Sequence, residues 1–402
     1  MTKEEINSLF EISEPFELPY KLLEKLLNYE KRQKLIDDFL KYDEDLSHDI
    51  LRDYFQENNS NRSELKQDYT PDCICELLSQ LVPETQYIID CCAGTGSLTI
   101  GMNKEIYFQC EELSNMSIPV LLFNLSVRKI NATVLEKNII TRQINKIYKV
   151  DDGRVTEQEQ YVEIKPDVII SNPPYSISWN RIYDDRFLGY ELPPKLKADY
   201  VFVLDIISRL SEKGQAFIIL PHGVLFRGNQ EKTIRKMLIL NNLIDCIIGL
   251  PEKLFLNTQI PVVIMVFNRE KKDTSLLFID ASKEYVKEKK NNNMTLEQIN
   301  KIASVYRHRM EVDKLSHIAS LDEIKNNDFN LNIPRYVDTY EEEQTINLNS
   351  VCREIREIDE EIKKCSNELV NMMKEMKCDD EEQTKKYLSD ISPMLEALGG
   401  TE

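Results

Sequence analysis

At 402 residues, 42% of them apolar and one of them Trp, the chain is long enough to bury a substantial core and to divide into more than one domain. A net charge of -18 argues against a protein that holds nucleic acid alone on a broad basic surface, so action on nucleic acid would need a partner that supplies much of the grip. No long uncharged apolar run suggests a membrane span, and the nine cysteines, two of them adjacent at Cys91-Cys92, have neither disulfide-framework nor zinc-site spacing.

The start Met1-Thr2-Lys3-Glu4-Glu5 lacks the basic and apolar regions of a signal peptide, which makes cytoplasmic residence the default expectation. In residues 1–68, Leu22, Leu26, Leu27, Ile36, Phe39 and Leu40 recur at helical spacing. This predicts a helical N-terminal domain with a packing or docking role, closed by a turn at Asn58-Asn59-Ser60-Asn61. Tyr69-Thr70-Pro71-Asp72 opens a new unit, with Thr70 as the expected cap of a helix carrying Ile74, Leu77, Leu78 and Leu81. A strand over 87–90 then runs into Cys91-Cys92-Ala93-Gly94-Thr95-Gly96-Ser97, a small-residue loop ahead of a helix from Leu98. Bare backbone there is placed to approach a ligand.

The loop lacks the Lys-Ser/Thr of a phosphate-cradling loop, and Thr99 stands where a dinucleotide fingerprint has its third glycine. The next strand, over 106–110, ends in Glu111-Glu112, about 20 residues past the loop, where a carboxylate takes ribose hydroxyls. A ligand with a ribose and no pyrophosphate, S-adenosylmethionine, fits this pairing, although a Gly-x-Gly loop alone is often only a tight turn.

A helical stripe (Ile118, Leu121, Leu122, Leu125) and a strand over 132–135 follow, and polar residues 138–163 read as a surface excursion. The β-branched run Val168-Ile169-Ile170 stops at Ser171-Asn172-Pro173-Pro174-Tyr175. Two prolines hold that segment extended and leave carbonyls free, Asn172 adds an amide, and Tyr175 adds a flat π-face. Together they are suited to gripping a planar nitrogen group; the alternative is an inert Pro-rich turn. Trp179, Arg181, Arg186, Phe187, Gly189 and Tyr190 then suit nucleic-acid contact or a packed Ω-loop equally.

Alternating helices and strands to about residue 280, with strands over 216–220, 244–250, 262–267 and 276–280, predict an α/β fold with a mainly parallel sheet covered on both faces. His222, alone at a strand end, is read as structural. A helix over 295–306 precedes the turn-rich segment 327–336. Beyond Tyr340, Leu348, Val351, Ile355, Ile358, Ile362, Cys365, Leu369, Met372 and Met376 alternate spacings of three and four, a coiled-coil-type seam of about four heptads that needs a partner helix. The expected organisation is 1–68, 69–340 and 341–402.

In order along the chain, Gln67-Asp68-Tyr69-Thr70-Pro71, Asp90-Cys91-Cys92-Ala93-Gly94-Thr95-Gly96, Glu112 with Asn124, and Asn172-Pro173-Pro174-Tyr175 resemble the DNA methyltransferases that act on adenine N6, above all the modification subunit of type I restriction-modification systems. Leu220-Pro221-His222-Gly223-Val224-Leu225-Phe226-Arg227, Leu250-Pro251-Glu252-Lys253-Leu254-Phe255 with Thr258, Phe278-Ile279-Asp280-Ala281-Ser282 and Asn330-Leu331-Asn332-Ile333-Pro334-Arg335-Tyr336 extend the likeness over roughly 67–340. The resemblance implies a Rossmann-like S-adenosylmethionine-dependent sheet. It implies Asn172, Pro173, Pro174 and Tyr175 as catalytic residues, and no metal. Cofactor binding then falls to Gln67, Asp68, Tyr69, Thr70, Pro71, Asp90, Ala93, Gly94, Thr95, Gly96, Ser97, Glu112 and Asn138, with Glu111 the neighbouring alternative for the ribose.

It further implies site-specific methylation of a flipped-out adenine in double-stranded DNA. The implied partners are a specificity subunit with two copies of this chain, and a restriction endonuclease subunit. Two features depart from the family: Glu136-Lys137-Asn138 stands where a Gly-Asp pair holds the cofactor's adenine, and the N-terminal helical region is short. A methyltransferase acting on protein glutamine or RNA, and a non-catalytic assembly subunit, are the competing expectations.

Overall fold

Short β-branched runs build an eleven-stranded sheet in the order β13-β10-β8-β9-β7-β6-β1-β2-β3-β4-β5. The strands are β1 (Tyr87–Cys91), β2 (Tyr107–Glu112), β3 (Ala132–Lys137), β4 (Ile144–Asp151), β5 (Arg154–Gln158), β6 (Val168–Ser171), β7 (Gln215–Pro221), β8 (Ile244–Gly249), β9 (Val262–Asn268), β10 (Leu276–Asp280) and β13 (Ser316–Ala319). β11 (Val286–Lys287) and β12 (Asn292–Asn293) form a separate pair. The computed structural model describes residues 2–42, 45–58, 69–102, 105–255, 260–289, 291–339, 348–375, 385–386 and 389–392.

The chain divides into two units, Met1–Thr339 and Tyr340–Glu402. In the first, β7, β6, β1, β2 and β3 run parallel as the centre of the sheet. The flanks are mostly antiparallel: β9 inserts antiparallel between β7 and β8, β13 pairs antiparallel with β10, and β4 and β5 extend the other edge, while β8 and β10 pair parallel. Antiparallel pairing is therefore more extensive than the alternation of helices and strands suggests. Residues 138–163, expected as a surface excursion, supply β4 and β5 because Tyr148, Val150 and Val155 alternate inward while Lys149 and Asp151 face solvent.

Strand alternation divides the core. Ile88, Val168 and Ile170 join one apolar cluster with the helices Asp72–Leu81, Ser117–Arg128 and Leu296–His308, whereas Ile89 and Ile169 join another with Asp199–Arg209 and Asn229–Leu240. The helix Ser117–Arg128 is buried along its whole length. Its far side is covered by the N-terminal helices: Phe10 and Phe39 set their rings edge-on to Phe123 at 5.5 and 5.0 Å, an attractive geometry for aromatic pairs. The expected boundary near 68 falls outside the described residues, and the packing on either side of it is one core.

Two local expectations change. The helix Asp72–Leu81 begins at Pro71 with no side-chain cap, so Thr70 is released for another partner. The aromatic and arginine loop after β6 is largely packed: Trp179, Arg186 and Phe187 are buried, and Trp179 donates its indole N–H to the Pro194 carbonyl at 2.9 Å. Arg181 alone of its arginines is exposed.

In the second unit, Leu348–Glu375 is a continuous 28-residue helix. Ile355, Ile358, Ile362, Leu369 and Met372 of the expected seam are exposed; Met376 lies outside the described residues. No described helix is long and apolar enough to cross a membrane.

Candidate active site

β1 leads to β2 and β3 on one side, while β6 pairs on its other side. The carboxyl ends of these strands therefore frame a crevice where the strand order reverses. The cavity there encloses about 960 Å³, counting space open to solvent. Its walls include Tyr69, Thr70, Ala93, Gly94, Ser97, Glu112 and Asn138, and on the opposite side Asn172, Pro173, Pro174 and Tyr175.

The loop after β1 requires its glycines. Gly94 has a φ of +58°, and a Cβ on it would lie 3.0 Å from Cε1 of Tyr69; Gly96 has a φ of +93°, and its Cβ would meet Leu121 at 2.7 Å. A side chain at either position would be strained and would displace a packed neighbour. The result is a bare backbone wall at residues 93–94, with the Tyr69 ring laid against it. Tyr69 hydroxyl pairs with Ser117 Oγ at 3.1 Å.

The two adjacent glutamates have separate fates. Glu112 is 7% exposed; its Oε2 accepts the Gly94 N–H at 2.8 Å and its Oε1 accepts the Ser114 N–H at 2.7 Å. Burial raises its pKa, opposed by those backbone hydrogen bonds. Glu111 is sealed in an ion network, with Lys137 Nζ and Arg209 Nη1 each 2.8 Å from Oε1. Burial alone would raise its pKa, but the two cations outweigh it and bring it down to about 2. Each Glu112 oxygen keeps acceptor capacity for a ligand hydroxyl, whereas Glu111 is committed to its cations.

Glu111 still borders the cavity, and Lys137, buried beside it, occupies the rim with Asn138, Ile139 and Ile140. Arg186 fixes that rim by donating to the carbonyls of Ile139 and Ile140 at 2.7 and 2.6 Å, and it pairs with Asp184 and Asp205. Asn138 accepts the N–H groups of Ile140 and Thr141 with its side-chain oxygen, which tightens the turn.

On the opposite wall, Ser171 Oγ donates to the Cys91 carbonyl at 2.7 Å, pinning the end of β6 to β1. Asn172 Nδ2 donates to Thr70 Oγ1 at 2.9 Å, and the Tyr175 hydroxyl donates to Asn172 Oδ1 at 2.8 Å. These bonds define which way the amide faces. Tyr175 meets Phe255 edge to face at 6.3 Å, and the loop beyond is held by the Ser176 N–H on Asp199, itself paired with Arg227 at 2.8 Å.

The residues expected at the site are thus mostly brought together. Asp90, Pro71, Thr95 and Gly96 are not among the cavity-lining residues, and Gln67 and Asp68 lie outside the described residues. Asp90 is fully buried beneath the loop, accepting from Thr99 Oγ1 at 2.7 Å, and burial raises its carboxyl to about 7. Thr95 turns away from the cavity to Asp49. Its side chain, expected at the ligand, therefore stands behind the loop.

Cavity residues not singled out from the sequence include Leu98, Leu113, Ile139, Ile140 and Phe202. Ordinary apolar residues carry no motif, and position relative to the strand ends was the available signal. A backbone wall, a carboxylate at a strand end and an apolar surround fit the ribose and adenine of S-adenosylmethionine; Asn172 and Tyr175 face the same space and suit a planar amino group.

Residues 44–345 match the family described as N-6 DNA Methylase. The chain is 30% identical over 98% of its length to the type I restriction enzyme MjaVIII methylase subunit of Methanocaldococcus jannaschii, spanning 69% of that protein. It is 30% identical over 77% of its length to the MpnII methylase subunit of Mycoplasma pneumoniae and 32% identical over 68% to the HindI methylase subunit of Haemophilus influenzae, spanning 60% and 64% of them. The crystal structure of a type I restriction-modification methyltransferase subunit from Streptococcus thermophilus superposes with a TM-score of 0.60 at 34% identity, over 67% of this chain and 59% of that one. A modification subunit from Vibrio vulnificus shares the fold, with a TM-score of 0.54 at 16% identity over 78% of this chain and 67% of that one.

Proposed function

This chain belongs to the N-6 DNA methylase family, and we propose that it transfers a methyl group from S-adenosylmethionine to adenine N6 in double-stranded DNA, as the modification subunit of a type I restriction-modification complex. The observation that carries the reading is the single cavity bounded on one side by Ala93, Gly94 and Glu112 and on the other by Asn172, Pro173 and Tyr175. A sulfonium cofactor and a planar nitrogen bound there would be neighbours.

The cofactor supplies an electrophilic methyl group. The residues of this chain position the acceptor and exclude water. Glu112 takes ribose hydroxyls, Tyr69 backs the backbone wall, and the apolar side chains of Leu98, Ile139 and Ile140 surround the adenine. Lys137 and Asn138 form the rim where the family carries Gly-Asp.

On the acceptor side, Asn172 Oδ1 and the Pro173 carbonyl accept the two N–H groups of the target amine. That localises the nitrogen lone pair, favouring the tetrahedral transition state over the planar ground state. Held in this way, the amine would accept the methyl group that the bound cofactor would supply and would release one proton to solvent. Tyr175 stacks on the flipped base, offsetting an unstacking cost of a few kcal/mol.

The domain plan is a helical region before residue 69, the catalytic region to about 340, and a tail from 341. The exposed Ile355, Ile358, Ile362, Leu369 and Met372 support docking of that tail to a specificity subunit, with two copies of this chain per complex and a restriction subunit able to join. The complex works in the cytoplasm. DNA exposed to this chain and its specificity subunit should carry N6-methyladenine at a defined sequence, and a version lacking 345–402 should lose both the subunit and the mark. Methylation of glutamine peptides or RNA in place of DNA would overturn the assignment.

A further inference from the structure

Asp49 lies in the segment between the helices Tyr29–Tyr42 and Arg52–Asn58, is 3% exposed, and takes no part in the chemistry above. Its carboxylate receives three side-chain donors. Oδ2 accepts from Thr95 Oγ1 at 2.5 Å and from Ser97 Oγ at 3.2 Å, and Oδ1 accepts from Asn124 Nδ2 at 2.9 Å. Two of the three donors belong to the loop whose Ala93 and Gly94 wall the cavity. Asn124 ties the arrangement together, since its Nδ2 also donates to the Thr95 carbonyl at 2.9 Å.

The segment carrying Asp49 is itself fastened. Arg128, 4% exposed at the end of the helix Ser117–Arg128, donates Nε to the Leu46 carbonyl at 2.8 Å and Nη2 to the His48 carbonyl at 2.5 Å. Its Nη1 donates to both oxygens of Asn124 at 3.0 Å. One guanidinium therefore fixes the segment on which Asp49 stands and the amide that shares its load. Hydrogen bonds to a charged acceptor are stronger than neutral ones, and a buried carboxylate with three donors holds them in one geometry.

We infer that Asp49 is a positioning residue for the cofactor loop, through which the N-terminal helical region sets the affinity for S-adenosylmethionine. The loop's cavity face is backbone, and backbone has no side chain of its own to hold it in place. Thr95 provides that hold from behind and Ser97, at the cavity edge, adds to it; Asp49 is the anchor they share. The inference rests on the cofactor reading of the cavity.

The test is calorimetry with S-adenosylmethionine on the full chain, well below the melting temperature, together with turnover at saturating cofactor in the complex with the specificity subunit. Asp49→Asn should raise the cofactor dissociation constant about tenfold or more while turnover at saturation stays within a few-fold, because the charge and one accepting oxygen are lost behind the cofactor loop while the residues on the methyl-acceptor side are untouched. Thr95→Val, which removes one of the three donors, should weaken binding in the same direction, Thr95→Ser should restore it, and the double variant Asp49→Asn/Thr95→Val should lose less than the sum of the two single losses, since the Thr95 contact is shared between them. A lowered melting temperature with an unchanged dissociation constant would overturn the inference and leave the cofactor site standing. Failure of the unsubstituted chain to bind S-adenosylmethionine would overturn the cofactor reading and the inference with it.

Discussion

The wall contributed by residues 172–175 presents side chains to the cavity, whereas the wall contributed by Ala93 and Gly94 presents backbone, with Thr95 behind it on Asp49. The first is braced by neighbours within the site: Thr70 and Tyr175 hold the Asn172 amide. The second is braced from outside, through Asp49 and Arg128 on separate elements. A side-chain wall is sensitive to single substitutions of its own residues. A backbone wall is sensitive to whatever stands behind it and to the space its glycines leave.

The contrast is tested most severely at Asn172. Asn172→Ala should lower turnover by about 10²–10³, the range for losing one preorganised transition-state hydrogen bond, while the cofactor dissociation constant stays within about twofold. Calorimetry beside a radiolabelled-methyl assay reads both numbers, and weakened cofactor binding in this variant would mean that the walls are not separable.

The reverse split is expected at Glu112. Glu112→Ala removes a charged acceptor from the Gly94 N–H and from the ribose, worth about 1.5–3 kcal/mol, so the cofactor dissociation constant should rise roughly 10–100-fold with turnover at saturation largely kept. Glu111→Ala is the control: it strips a buried partner from Lys137 and Arg209, and its first effect should be on melting temperature.

The smallest effect is expected beneath the loop. Burial lifts Asp90 to about 7 from an ordinary 3.8, so the native state holds a proton that the unfolded chain has released between those values. The group's stabilising contribution is complete below its ordinary pKa and is lost as pH rises toward about 7. Asp90→Asn, which imitates the protonated form, should therefore raise the melting temperature by a few degrees at pH 8 and leave it nearly unchanged at pH 4. Melting curves across that range decide it, and an equal shift at both pH values would remove protonation from the account.

Much of this was legible in the chain. Gly94 and Gly96 announce a backbone that must be bare, Asn172-Pro173-Pro174-Tyr175 announces acceptors beside a ring, and the run 168–170 announces the strand that delivers them. Strand and helix alternation is local, so the central strands β1, β2, β3, β6 and β7 could be read from it. The edge strands β4 and β5 were missed because their outward residues are polar and only every second position is buried. The choice between the adjacent Glu111 and Glu112 is likewise out of reach of spacing, for strand alternation sends neighbours to opposite faces and only the folded sheet says which face holds cations.

The sequence by itself determined which segments border the cavity, because glycine, proline and the Asn-Tyr pair act through their own backbone limits and functional groups. Tertiary structure alone decided how those segments are held. Asp49 reaches Thr95 across 46 residues and Asn172 reaches Thr70 across 102. A hydrogen bond of that range depends on the packing of every element between its ends, and no local pattern encodes it.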